Sequence, residues 1–201
     1  TLSIPLDYTS YAVVDSCIHL LENYFTHDSI WSPIQDRYVE GLVRTIIECM
    51  SKIKANPQDY EARATFMWAA TLAWNGLGSA GLSGGSIPNH LFAHILGGHY
   101  DIAHGAALSI IVPAWMKYKC SERTERFAMF AENVFDIKGG DSVSKALAGI
   151  EAFKKWFVEI GSPVSFKDAG LPTNELDELA DDVLELAGIW DVKGYPKDVI
   201  I

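Results

Sequence analysis

Basic residues are scarce in this sequence. Sixteen Lys and Arg stand against 26 Asp and Glu, a formal net charge of −10. A general nucleic-acid binder needs the opposite sign, and an anionic membrane surface repels such a chain. Cysteine is rare as well. Cys17, Cys49 and Cys120 are widely spaced and form no CxxC pair, which argues against a thiolate zinc site. They read instead as free, buried thiols of a reducing compartment, so the expected location is the cytoplasm. No apolar run reaches the ~20 residues of a transmembrane helix, and no secretory pattern is recognisable. Extended structure is nearly missing too. The piece "TLSIP" at 1–5 reads as extended, with no obvious partner strand.

What is present is apolar and helical. Hydrophobic residues make up 49% of the 201 positions, with six Trp, eight Tyr and nine Phe. A single domain of this size buries roughly 70% of its unfolded surface. Apolar residues near helical spacing, from Val13 to Leu21, predict a helix over 9–26. Ser32, Pro33 and Gln35 suggest a capping box opening a helix to about Lys54. Asn56 and Pro57 repeat the device ahead of a helix ending near Gly76. Further helices are expected around 87–97, with a break at Gly97–Gly98, then at 104–118, 121–135, 141–160 and 174–187, with a last turn in "YPKDVII". The fold class is all-α, a multi-helix bundle.

Residues 76–81 spell GxGxxG, with Asp101 twenty residues beyond the last of them. A dinucleotide-binding turn needs a strand before those glycines. The preceding residues are helical in pattern, so the stretch reads as an interhelical loop. The acidic residues of 173–182 read as a solvated helix face.

The candidate chemistry lies elsewhere. Asp15 and His19 are four apart and share a helix face. Their flanks are apolar, which suggests a partly buried pair, and a buried carboxylate is costly unless paired or metal-bound. "NHLFAHILGGHYDIAHG" at 89–105 holds four of the six histidines. His90 and His94 are four apart, and His104 follows the glycine break, where the chain can turn back. One carboxylate with two or three imidazoles suits Zn(II) or Fe(II). Spacing alone does not choose between His94 and His104. His27 and His99 fit no spacing rule and read as surface or packing residues.

The segments "VVDSCIHLLENYF", "NPQDYEARATFMWAATLAWNG", "HLFAHILGGHYDIAHGAALSIIVPAWMKY" and "FKDAGLP" resemble the iron-containing (group III) alcohol dehydrogenases, butanol dehydrogenase-like branch, over nearly the whole chain. The resemblance implies the C-terminal metal-binding domain of the dehydroquinate synthase-like fold. It implies a divalent metal, Fe(II) or Zn(II), on Asp15, His19, His90 and His104. His94 then matches the family's extra histidine near metal and nicotinamide, a candidate for proton relay or positioning. NAD or NADP would be held mainly by a preceding α/β domain that this sequence does not contain. Residues 1–7 then read as a linker from that domain and 8–201 as the helical catalytic domain. The expected partners are a small alcohol or aldehyde, the nucleotide-binding domain of the same protein, and further copies of the chain. The alternative is a helical metal-binding or interaction module without catalysis of its own.

Overall fold

Helix α1 (Leu6–Thr26) is the axis of the fold. Val13, Val14, Cys17, Ile18, Leu20, Leu21, Tyr24 and Phe25 are all buried. A helix apolar on most of its circumference needs neighbours on most sides. The computed structural model, which describes residues 1–200, supplies them: α2 (Pro33–Ala55), α3 (Tyr60–Ala73), α4 (Pro88–Tyr100) and α5 (His104–Lys119) all pack on α1. The antiparallel pair α6 (Thr124–Phe135) and α7 (Ser142–Glu159) closes the bundle against α2 and α5. Helix α8 (Leu176–Ile189) lies on α4, and a short α9 (Lys197–Ile200) follows it. Among the described residues there is no strand, only one isolated bridge between His27 and Gly84. None of these helices is long and apolar enough to cross a membrane.

Several local expectations need correction. Residues 1–4 form a turn, with the Ile4 N–H on the Thr1 carbonyl, rather than an extended piece. Helix α1 begins at Leu6, inside the expected 1–7 linker, with Pro5 at its N-cap. The Ser32 side chain does not cap α2. Its hydroxyl donates to Asp36, and Gln35 reaches across to the Ala80 carbonyl. Asn56 ends α2 instead of starting α3, whose cap is Asp59 accepting from Ala62 N–H. Ser32 fails as a cap because Asp36 claims its hydroxyl, and Asn56 because it closes α2 through its backbone N–H.

The expected break at Gly97–Gly98 is absent, and α4 runs through both glycines. The chain reverses at Asp101, in the left-handed region with φ 50°, its N–H on the Gly97 carbonyl. Glycine permits a break but does not impose one, and Asp tolerates the left-handed region better than most residues. The reversal brings the first turn of α5 back onto α1. There Gly105 lies against the Tyr11 carbonyl so closely that a Cβ would collide with backbone.

Candidate metal centre

Three polar residues of α1 lie on one stripe. Asp15, His19 and Glu22 are spaced i, i+4, i+7, which places them on one helix face. Glu22 is the deepest, 1% exposed. A carboxylate is costly to bury without partners, and this one has three. Its Oε1 accepts from the backbone N–H groups of Asn89 (2.5 Å) and His90 (3.1 Å), in the first turn of α4. Its Oε2 pairs with His90 Nδ1. The anion therefore sits where unpaired N–H groups and the helix dipole favour it. Pro88 opens α4 without a wasted N–H.

This arrangement turns His90 Nε2 toward Asp15. The distance from His90 Nε2 to Asp15 Oδ1 is 3.4 Å. His104 arrives from the first residue of α5, its Nε2 3.6 Å from the same oxygen. His19 Nε2 is 3.4 Å from it, one turn along α1. One carboxylate oxygen thus faces three imidazole nitrogens. One ligand atom each from Asp15, His90 and His104 lie within 4.8 Å of one another. His19 stands outside that trio, although its ring stacks on His90 with centroids 4.3 Å apart. On its other side His19 meets Trp74, at 4.2 Å.

The electrostatics follow from these neighbours. Burial pushes the Asp15 carboxyl up, but the imidazoles of His19, His90 and His104 beside it outweigh burial, and its pKa falls below the usual carboxylate range. Burial pulls His90 down, yet Asp15 and Glu22 together push it up to about 9. Burial, with the neighbouring His90, His94 and His19, lowers His104 in spite of Asp15.

A divalent cation fits this set. Asp15 Oδ1 and His90 Nε2 are buried and make no hydrogen bond, as is His19 Nδ1. Buried polar atoms without a partner are unusual and call for an explanation. Ligands at about 2.0–2.1 Å around a tetrahedral ion stand roughly 3.3–3.4 Å apart, close to the distances found here. One oxygen and two or three imidazoles also match the donor preference of Zn(II) and Fe(II).

The other histidines lie off this point. His94 is one turn along α4 from His90, its ring 5.1 Å from His104 and 5.5 Å from Trp190. His99 pairs with Asp182 of α8 at 2.6 Å. His27 is buried at the far end of α1. The residue that sequence reasoning missed is Glu22. Its signal was available: a charged residue flanked by Leu20, Leu21, Tyr24 and Phe25, seven beyond Asp15 and three beyond His19. A cleft of about 390 Å³ opens beside Asp15 and His19, walled by Phe66, Met67, Ala70 and Trp74. The glycine-rich loop bounds a second hollow that also touches His19, through Gly76 and Gly78.

Comparison with known proteins agrees with this architecture. The chain is 32% identical to the probable NADH-dependent butanol dehydrogenase 1 of Bacillus subtilis, over its whole length and 52% of that protein. It is 35% identical to NADH-dependent butanol dehydrogenase B of Clostridium acetobutylicum, over 94% of the chain and 48% of the relative. The crystal structure of NADH-dependent butanol dehydrogenase A from Thermotoga maritima superposes with a TM-score of 0.92 at 37% identity, covering 99% of this chain and 52% of that one. The substrate- and cofactor-free aldehyde reductase YqhD of Escherichia coli superposes at 0.89 with 30% identity, covering 100% of this chain and 53% of that one. The chain therefore spans about half the length of the curated relatives it matches. Residues 9–191 match the model of the Fe-containing alcohol dehydrogenase family, C-terminal, and with the helical fold around Asp15, His90 and His104 this places the chain in that family as its C-terminal part.

Proposed function

We propose that this chain is the metal-binding, substrate-side half of an NAD(P)-dependent alcohol dehydrogenase that interconverts small alcohols and aldehydes. The observation that carries the reading is the meeting of Asp15, His90 and His104 from three helices, with Asp15 Oδ1 and His90 Nε2 buried and without a hydrogen bond. Asp15, His90 and His104 would hold a divalent cation, with His19, whose Nε2 lies 3.4 Å from Asp15 Oδ1, as the fourth ligand. Bound there, the cation supplies Lewis acidity toward a substrate oxygen. Asp15 contributes a negative charge that its neighbours keep ionised. Burial and the neighbouring imidazoles favour the neutral form of His104, which has a lone pair to offer. The apolar side chains of Phe66, Met67 and Trp74 beside the site suit a short carbon chain. His94 lies near enough to the trio to move a proton or orient a substrate without joining it. The names of the relatives, butanol dehydrogenases and an aldehyde reductase, support the substrate class.

Hydride transfer also needs a nicotinamide held close to the reacting carbon. The glycines of 76–81 follow α3 rather than a strand, so they do not build a dinucleotide turn. We assign nucleotide binding to the half of the family enzyme that this chain does not span, and residues 8–201 to the metal-binding half. Three buried free thiols favour a reducing compartment such as the cytoplasm. The test is butanal reduction with NADH or NADPH, with zinc or ferrous iron present. It compares the chain alone with the chain joined to the remaining half of the Thermotoga maritima enzyme. Turnover only in the joined protein is expected. Equal turnover in both refutes the division of labour. A joined protein that holds metal yet turns nothing over refutes the dehydrogenase reading in favour of a binding module.

A further inference from the structure

Glu22 is the most deeply buried acid near the centre. Among the described residues it forms no ion pair with Lys or Arg, only with His90. Its two oxygens serve three donors on α4: the backbone N–H groups of Asn89 and His90 on Oε1, and the His90 ring on Oε2. The two backbone groups donate and nothing else. An ionised carboxylate accepts and nothing else. The ring nitrogen facing Oε2 must therefore carry the proton. The opposite nitrogen, Nε2, is buried, makes no hydrogen bond and faces Asp15 Oδ1. We propose that Glu22 is a positioning residue for the metal centre: it holds a proton on His90 Nδ1 and so presents the Nε2 lone pair to the ion. The proposal rests on the metal reading above.

The same carboxylate ties two elements together. It fixes the start of α4 to α1, so the ring that ligates and the helix that carries it are placed by one group. Carboxylate partners behind a ligating imidazole orient the ring and raise its basicity, and their loss costs about 10–100-fold in metal affinity. Glutamine separates this role from simple packing. It has the same shape but one acceptor oxygen. The two backbone donors claim that oxygen, and the amide NH₂ then faces His90 Nδ1. The ring must accept there, which moves its proton to Nε2 and blocks the ligating position.

The experiment compares the wild-type chain with E22Q by ¹⁵N spectra of the histidine rings and by zinc competition against a chromophoric chelator, with thermal unfolding as a control on the fold. In the wild type, Nδ1 of His90 should be protonated with or without zinc. In E22Q, Nδ1 should lose its proton and zinc affinity should fall about 10–100-fold, while the fold is kept. E22D, with both acceptor oxygens on a shorter stem, should recover part of the affinity. A folded E22Q with wild-type affinity, or an unprotonated Nδ1 in the wild type, overturns the proposal. If E22Q does not fold, the wild-type ring spectrum and E22D still decide. A wild-type chain that takes up no zinc refutes the metal reading itself, an outcome distinct from the failure of Glu22 alone.

Discussion

His27 and His90 are both buried, 2% and 4% exposed, both lie beside carboxylates, and they serve opposite ends. His27 follows α1 at its C-terminal end. Its Nδ1 accepts from the Ser29 N–H at 3.1 Å, and its Nε2 faces the Ser32 hydroxyl at 3.4 Å. The nearest acid, Asp36, is 3.8 Å away and is already paired with Arg126 at 2.8 Å. Both ring nitrogens are engaged, and burial with the nearby Arg126 pulls its pKa down. His90 has one nitrogen on Glu22 and the other facing Asp15 without a hydrogen bond, and these two acids push its pKa up. Burial therefore does not mark a functional histidine. What marks it is a donor atom held in place and left without a partner, with acids that no cation neutralises.

The largest contrast should appear in metal binding. H90A should lower zinc affinity by more than about 100-fold, beyond what an outer partner of a ligand costs. H27A should leave zinc affinity nearly unchanged, because its site shares no partner with the centre. It should instead cost about 1–3 kcal/mol of stability by stranding the Ser29 N–H and Ser32. Zinc competition and chemical denaturation of the two variants measure both effects. Equal zinc loss in the two would erase the distinction drawn here.

A smaller contrast concerns the pH dependence of stability in the metal-free chain. The folded pKa of His90 is raised from 6.5 to about 9. Its contribution is therefore full below pH 6.5 and is lost as pH rises through about 9. The folded pKa of His27 is lowered from 6.5. Protons then favour the unfolded chain, and stability is lost as pH falls below 6.5. Thermal unfolding from about pH 5 to about pH 10 checks both signs. H90Q should flatten the alkaline limb and H27Q the acid limb. The reverse pattern would show that the charge environments have been assigned the wrong way round.

The smallest effect is expected at His94. Its ring lies 5.1 Å from that of His104 but outside the trio. H94A should change zinc affinity by less than about threefold, since it removes neither a ligand nor a partner of one. Zinc competition on H94A checks this. A loss like that of H90A would make His94 a ligand.

Much of the fold was legible in the chain. Helical spacing placed α1, and the Pro33 start placed α2, to within a few residues. The ends were harder to read. Ser32 and Asn56 look like caps in sequence, but Asp36 lies within reach of the first, and the second closes the preceding helix. Gly97 and Gly98 look like a break, yet the turn falls at Asp101. These are contests among neighbours, which a linear pattern does not rank. In the candidate site, the spacing brought Asp15, His19 and the 89–105 histidines forward, and only the family resemblance preferred His104 to His94. In the structure His104 is the one beside Asp15. Glu22 went unread because its three partners lie 67 and 68 residues away on another helix.

The central claim is that Asp15, His90 and His104 form one cation site. X-ray absorption of the zinc-loaded chain tests it most directly, read together with metal content per chain. The account predicts one zinc per chain, a first shell of nitrogen and oxygen only at about 2.0–2.1 Å with at least two imidazoles, and loss of that shell in D15A. A sulfur shell, or the same spectrum and the same metal content in D15A, would contradict it.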